Sequence, residues 1–218
     1  PEDWWRAICT TTRNLIAKAA IEPAQIAAVS FSGQMMGCLC VDKAGHPLRP
    51  SIIWADQRAQ EQQQAIAREI SDWDFYRIAG HRNTASYGIQ KLMWVRDHEP
   101  EIYAKTYKTL NAKDFIVLRL TGNWYTEPSD ATSNGCMDLQ KLQWSEKIVA
   151  CAGIDGEKLP QIVPSTFVAG GVTRWAAEQT GLAVDTPVVM GGGDGVCANV
   201  GAGSIRPGRT FSYVGSSA

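Results

Sequence analysis

An apolar run that ends in three glycines and an acid constrains this chain more than any other feature: Pro187-Val188-Val189-Met190-Gly191-Gly192-Gly193-Asp194-Gly195. Residues 188–190 read as a buried strand of a parallel sheet, because strands covered on both faces are apolar throughout. In open α/β sheets ligands collect just beyond the carboxyl ends of the strands. Glycines there let a ligand come close to the backbone. The local pattern gives Asp194 two readings: a cap for the helix that follows, or a bare carboxylate placed to act as a base.

Helical patterns alternate with apolar runs elsewhere. Residues 4–20 are expected to form a helix, with Trp5, Ile8, Cys9, Thr12, Leu15, Ile16 and Ala19 on one side. Residues 26–31 read as a strand, Ser32-Gly33-Gln34 as a turn, and residues 36–42 as a second strand. The turn Lys43-Ala44-Gly45-His46 leads back through residues 48–54. Adjacent strands with short connections suggest an antiparallel or mixed sheet. Helices are expected over residues 56–70, 89–98, 113–120, 144–151, 172–180 (capped by Gly181) and 196–202, with a short strand at 110–112. Residues 209–214 read as a new strand that opens a second domain. The expected fold class is α/β, a mixed sheet flanked by helices.

Composition removes several alternatives. With 44% apolar and 20% charged residues the chain is of globular type, and its 218 residues suit one large domain or one and a half ordinary ones. A formal charge of -1 gives no reason to expect nucleic acid or an anionic membrane surface. No apolar stretch approaches the length of a membrane span. The six cysteines form no C-x-x-C, and the three histidines lack metal-ligand spacing. Cys38 and Cys40 fall on one face of an expected strand and read as small core residues. Scattered free thiols suit a reducing cytoplasm. Both ends look cut, so a fragment of a longer protein is expected.

Common nucleotide and hydrolase signatures are missing: no G-x-x-x-x-G-K-[ST], no G-x-G-x-x-G opening a helix after a strand, no G-x-S-x-G. Instead an ordered series runs along nearly the whole chain. It comprises Ser32-Gly33-Gln34-Met35-Met36-Gly37, Gly45-His46-Pro47 through Trp54-Ala55-Asp56-Gln57-Arg58, and Lys91-Leu92-Met93-Trp94. Lys113-Asp114-Phe115, Leu120-Thr121-Gly122 and Ser129-Asp130-Ala131-Thr132 follow, then Gly191-Gly192-Gly193-Asp194-Gly195, Gly208 and Val214-Gly215-Ser216-Ser217. The series resembles the FGGY family of carbohydrate kinases, closest to the xylulokinases.

That resemblance implies an actin-like ATPase fold, two ribonuclease H-like domains around a cleft. Residues 1–203 would be the sugar-binding N-terminal domain, truncated at its start, and residues 204–218 the first strand of the ATP-binding domain. The family's D-x-G-T phosphate loop is missing, so these residues alone are expected not to turn over. Asp194 falls on the family's catalytic aspartate, the base that takes the proton of the attacking sugar hydroxyl. ATP and Mg are the implied co-substrate and ion, and Asp194 is the one residue placed to touch the Mg. Gly215, Ser216 and Ser217 occupy the place of a phosphate loop that usually reads G-T-S.

Gln34, Met35 and Met36 match the substrate loop, which in xylulokinases usually reads G-Q-M-H-G. Met36 replaces the histidine, and Gly195 stands where an asparagine is common, so two implied sugar contacts differ. Asp56 and Arg58, in a W-x-D-x-R match that opens the expected helix, and Arg82 and Ser86 are weaker cleft candidates. Trp54, Trp94, Trp124 and Trp144 read as core rather than as sugar platforms. The implied function is ATP-dependent phosphorylation of a small sugar or polyol, a ketopentose such as xylulose first, with gluconate, ribulose and glycerol open. A homodimer is also left open. The alternatives are a sugar-binding regulator of the same fold without catalysis and, more remotely, an actin-like structural or chaperone ATPase.

Overall fold

A computed structural model describes residues 1–212. The N-terminal helix runs Glu2–Ala19, with Glu2 and Asp3 in its first turn and Lys18 in its last, each charge favoured by the helix dipole. It buries Trp5 and Cys9. Trp5 stacks at 5.3 Å on Trp175 of the helix Arg174–Thr180 and so docks the two helices together. Gly181 ends the latter at φ 79°, the left-handed cap its position suggests.

Residues 26–31, expected as a strand, pair through a single parallel bridge, Val29 to Val188. Ladder pairing comes just after, where the sequence suggested a turn: Ser32–Gly33 lies parallel to Gly192–Gly193. The reason is steric. A Cβ on Gly33 would lie 2.7 Å from Lys113 Cβ, so a glycine lets this strand close against the helix Ala112–Thr121.

Leu39–Val41 runs antiparallel to Lys108–Leu110, with further antiparallel bridges from Cys38 to Ile52 and from Val41 to Pro47. Tyr125–Thr126 is parallel to Gln161–Ile162, and Val168–Gly171 is antiparallel to Pro187–Val189. The pairing is mixed, as expected. Side chains alternate across Leu39–Val41. Leu39 and Val41 enter a core with Trp5, Phe115, Val117, Val188 and Met190. Cys38 and Cys40 enter a second core with Ile52, Ile66, Phe75, Ile89 and Leu92. One short strand thus separates two apolar cores, and its cysteines are packing residues. All six cysteines are free.

The helix expected over residues 56–70 runs only Gln60–Glu69. Asp56 Oδ1 accepts the Arg58 N–H at 3.0 Å, which folds this segment into a turn before the helix can start. Asp56 and Arg58 therefore do not open the helix. The last helix, Asp194–Gly201, starts at Asp194 rather than at residue 196. Three helices were not anticipated, Asp72–Ala79, Pro100–Lys105 and Pro128–Ser133. Ser71 signals the first, because its hydroxyl accepts the Asp74 N–H at 3.1 Å. Of the strand expected over 209–214, residues 209–212 are not in a strand. The remainder, with Gly215, Ser216 and Ser217, lies outside the described residues. Among the described residues no helix is long and apolar enough to cross a membrane.

Candidate active site

The parallel pair Ser32–Gly33 and Gly192–Gly193 brings two carboxyl ends to one place. Residues 34–36 follow the first strand and Asp194 and Gly195 the second. The glycines are required by this close approach. Gly191 has φ 71°, and a Cβ there would collide with the Phe31 carbonyl oxygen. A Cβ on Gly193 would lie 2.5 Å from Met35 Cγ. Met35 therefore lies directly over the residue that precedes Asp194.

Asp194 is exposed. Its Oδ1 accepts the Gly195 N–H at 2.8 Å. Among the described residues it forms no ion pair, and the helix N-cap is Gly193, not Asp194. A carboxylate with one free oxygen at the mouth of a parallel strand pair can accept a proton or face a cation.

Met36 is held from three sides. Its N–H donates to Ser133 Oγ at 3.0 Å. Its carbonyl accepts from Lys91 Nζ at 2.8 Å, and the same ammonium donates to the Ile53 carbonyl at 2.8 Å. The next amide, Gly37, donates to Asn111 Oδ1 at 2.9 Å. These bonds fix Met36 at φ 60°, a left-handed conformation uncommon for methionine. Lys91 is fully buried. Burial pushes its ammonium down to about 8, against the opposing pull of Cys38 and Asp56.

An open pocket of about 350 Å³ adjoins this loop. Of the residues expected from sequence it gathers Met36, Arg82 and Ser86; it adds Trp54, Gln57, Thr84 and Tyr87. Trp54, expected in the core, is instead 39% exposed and lines the pocket. Tyr87 is set in place by His81, whose ring stacks on it at 3.9 Å. Asp56 and Arg58 are not among the lining residues. They pair with each other at 2.6 Å, and the Arg58 guanidinium lies 4.7 Å from the centre of the Trp94 ring. Arg58, held chiefly by its bonds with Asp56, lies in turn above the usual guanidinium range, and Asp56 below the usual carboxylate range. A larger cleft of about 640 Å³, lined by Lys43, His46 and Arg119 among others, contains none of the expected site residues.

Behind the strand pair lies a buried charge cluster to which the sequence reading gave no role. Lys113 Nζ stands 3.4 Å from Asp114, 3.5 Å from Glu127 and 3.1 Å from Asp130, and all four side chains are fully buried. Burial and the neighbouring Asp114 push Asp130 well above the usual carboxylate range. Glu127, although burial opposes it, is held below that range by Lys113 and by hydrogen bonds from Ser129 and Ser165. The signal available in the sequence was the ordered run Lys113-Asp114, then Ser129-Asp130. Among the described residues no cluster of acids, histidines and cysteines is arranged to hold a metal.

Residues 1–201 match the model of the FGGY family of carbohydrate kinases, N-terminal domain. The chain is 32% identical over 217 residues to a xylulose kinase of Bacillus subtilis (strain 168), covering all of this chain and 43% of that protein. It is 30% identical over 217 residues to a gluconokinase of the same organism, again over all of this chain and 42% of that protein. Among solved structures, the xylulose kinase from Rhodospirillum rubrum superposes with a TM-score of 0.89 at 27% identity, over 95% of this chain and 43% of that one. The chain spans less than half the length of the curated relatives it matches.

Proposed function

This chain belongs to the FGGY family of carbohydrate kinases, and we propose that it supplies the sugar-binding half of an enzyme that transfers the γ-phosphoryl group of ATP to a small sugar or polyol. Its fold is the actin-like ATPase fold of these kinases. Asp194 acts as general base. It removes the proton of the attacking hydroxyl while that oxygen closes on phosphorus, and the proton ends on the carboxylate. The observation that carries this reading is the position of Asp194: exposed, outside any ion pair among the described residues, and one residue beyond the glycine on which Met35 rests.

The sugar sits in the pocket beside Met36, with Arg82, Ser86, Gln57 and Thr84 as polar partners and Trp54 and Tyr87 as apolar walls. Ketopentoses such as xylulose are the first substrates to test. Arg82 and the gluconokinase relative keep sugar acids in view. Mg, when bound with ATP, neutralises triphosphate charge, and the hard oxygen of Asp194 suits it as a ligand. Residues 204–218 begin the ATP-binding domain, with Gly215, Ser216 and Ser217 on its phosphates.

The test is ADP release by the full-length protein, screened over pentuloses, polyols and sugar acids. Asp194→Asn is expected to lower kcat by ~100-fold or more with sugar binding retained. Turnover that survives this substitution would refute the base. The departures at Met36 and Gly195 favour a second reading, a sugar-binding regulator, which predicts sugar binding with no ADP release on any carbohydrate.

A further inference from the structure

The segment that carries Asp194 is short, and its anchoring can be followed bond by bond. The Gly191 amide donates to the Ser165 carbonyl at 3.0 Å and the Gly192 amide to the Phe31 carbonyl at 3.1 Å. The third amide, Gly193, is held by a side chain. It donates to the hydroxyl of Ser129 at 2.7 Å. A side chain sixty-four positions away in sequence thus fixes the peptide just before the acid.

Ser129 is itself fixed. Its hydroxyl proton is directed to Glu127 Oε1, which leaves an oxygen lone pair for the Gly193 amide. Glu127 also accepts the Ser129 and Asp130 amides at 3.0 Å each, and the Ser165 hydroxyl at 2.7 Å. Since the Ser165 carbonyl takes the Gly191 amide, one buried carboxylate governs both ends of the glycine segment. Lys113, 3.5 Å away, supplies the compensating charge.

We infer that Ser129, oriented by Glu127, is a positioning residue for phosphoryl transfer: it sets the peptide from which Asp194 projects. This rests on Asp194 being the base. Displacing a reacting group by about an ångström can cost ~100-fold in rate, so the effect belongs in kcat and not in sugar affinity.

The experiment uses the full-length kinase with Ser129→Ala, Ser129→Thr and Asp194→Asn. Ser129→Ala is expected to lower kcat ~10- to 100-fold, with KM for sugar within about twofold of wild type. Ser129→Thr, which keeps the hydroxyl, restores most of the rate. Amide hydrogen exchange at Gly193 reads the bond independently of catalysis and should quicken at least ~10-fold in Ser129→Ala alone. An unchanged kcat in Ser129→Ala overturns the inference. So does a parallel fall of kcat, affinity and melting temperature that threonine does not rescue. If Asp194→Asn turns over normally, the base assignment fails by itself, and Gly193 exchange still reports whether Ser129 holds the segment.

Discussion

Met35 fills the space that a side chain on Gly193 would need, its Cγ 2.5 Å from the position of the missing Cβ. The loop of residues 34–36 and the strand that leads into Asp194 are therefore packed against each other, not merely adjacent. Gly193 has φ −63°, which any residue tolerates, so the cost of a larger residue falls on Met35. Gly193→Ala is expected to raise KM for sugar several-fold and to lower stability by ~1–3 kcal/mol, the usual range for an overpacked site. Steady-state kinetics beside a denaturant titration checks this; a wild-type KM would mean that Met35 moves without consequence for the sugar.

Met36 sits at φ 60° and occupies the pocket wall. Histidine visits that conformation several-fold more often than most residues and offers a hydrogen bond that a thioether does not. Met36→His is expected to improve kcat/KM for xylulose relative to gluconate by about 3- to 10-fold, the worth of one neutral hydrogen bond. Competition between the two sugars in one assay reads the ratio directly. No change would remove Met36 from the list of sugar contacts.

Lys91 ties the Met36 carbonyl to the Ile53 carbonyl from a buried position, and burial lowers its ammonium from 10.5 to about 8. Between these values the unfolded chain binds a proton that the folded chain has released, so stability rises with pH across that window. Relative to Lys91→Met, the wild-type protein should gain about 2 kcal/mol between about pH 7.5 and pH 9.5. Urea midpoints of the two proteins at both pH values give the difference. A flat difference would mean that Lys91 titrates normally.

Among the described residues, Lys113 is the one cation paired with the buried carboxylates of Asp114, Glu127 and Asp130. Lys113→Met leaves those acids uncompensated and is expected to cost ~3–5 kcal/mol near neutral pH. Without the ammonium the acids bind protons more tightly folded than unfolded. A raised folded value gives stability that is present in acid and lost as pH rises, so the deficit should shrink towards about pH 5. Thermal melts at two pH values test the sign; a deficit that grows in acid would contradict it.

Much of this was legible in the sequence because it rests on local pattern. Amphipathic spacing gave the helix Glu2–Ala19, and the glycines of residues 191–193 marked the strand end that carries Asp194. Gly33 was misread for a tertiary reason: its lack of a side chain serves Lys113 from another helix, not a turn. Trp54 was expected in the core because aromatic size says nothing about which face is open, and it lines the pocket instead. The Glu127–Ser129 link to Gly193 could not be read, since no periodicity connects residues so far apart in the chain.

Leu39–Val41 divides itself between two apolar cores and emerges directly from the loop that holds Met36. The loop of residues 34–36 therefore inherits disturbances from both cores. Repacking Phe75 or Ile66 in one layer, or Phe115 in the other, will tug on the same three-residue hinge pin. Remote hydrophobic changes should accordingly surface as altered carbohydrate preference well before the protein fails to fold.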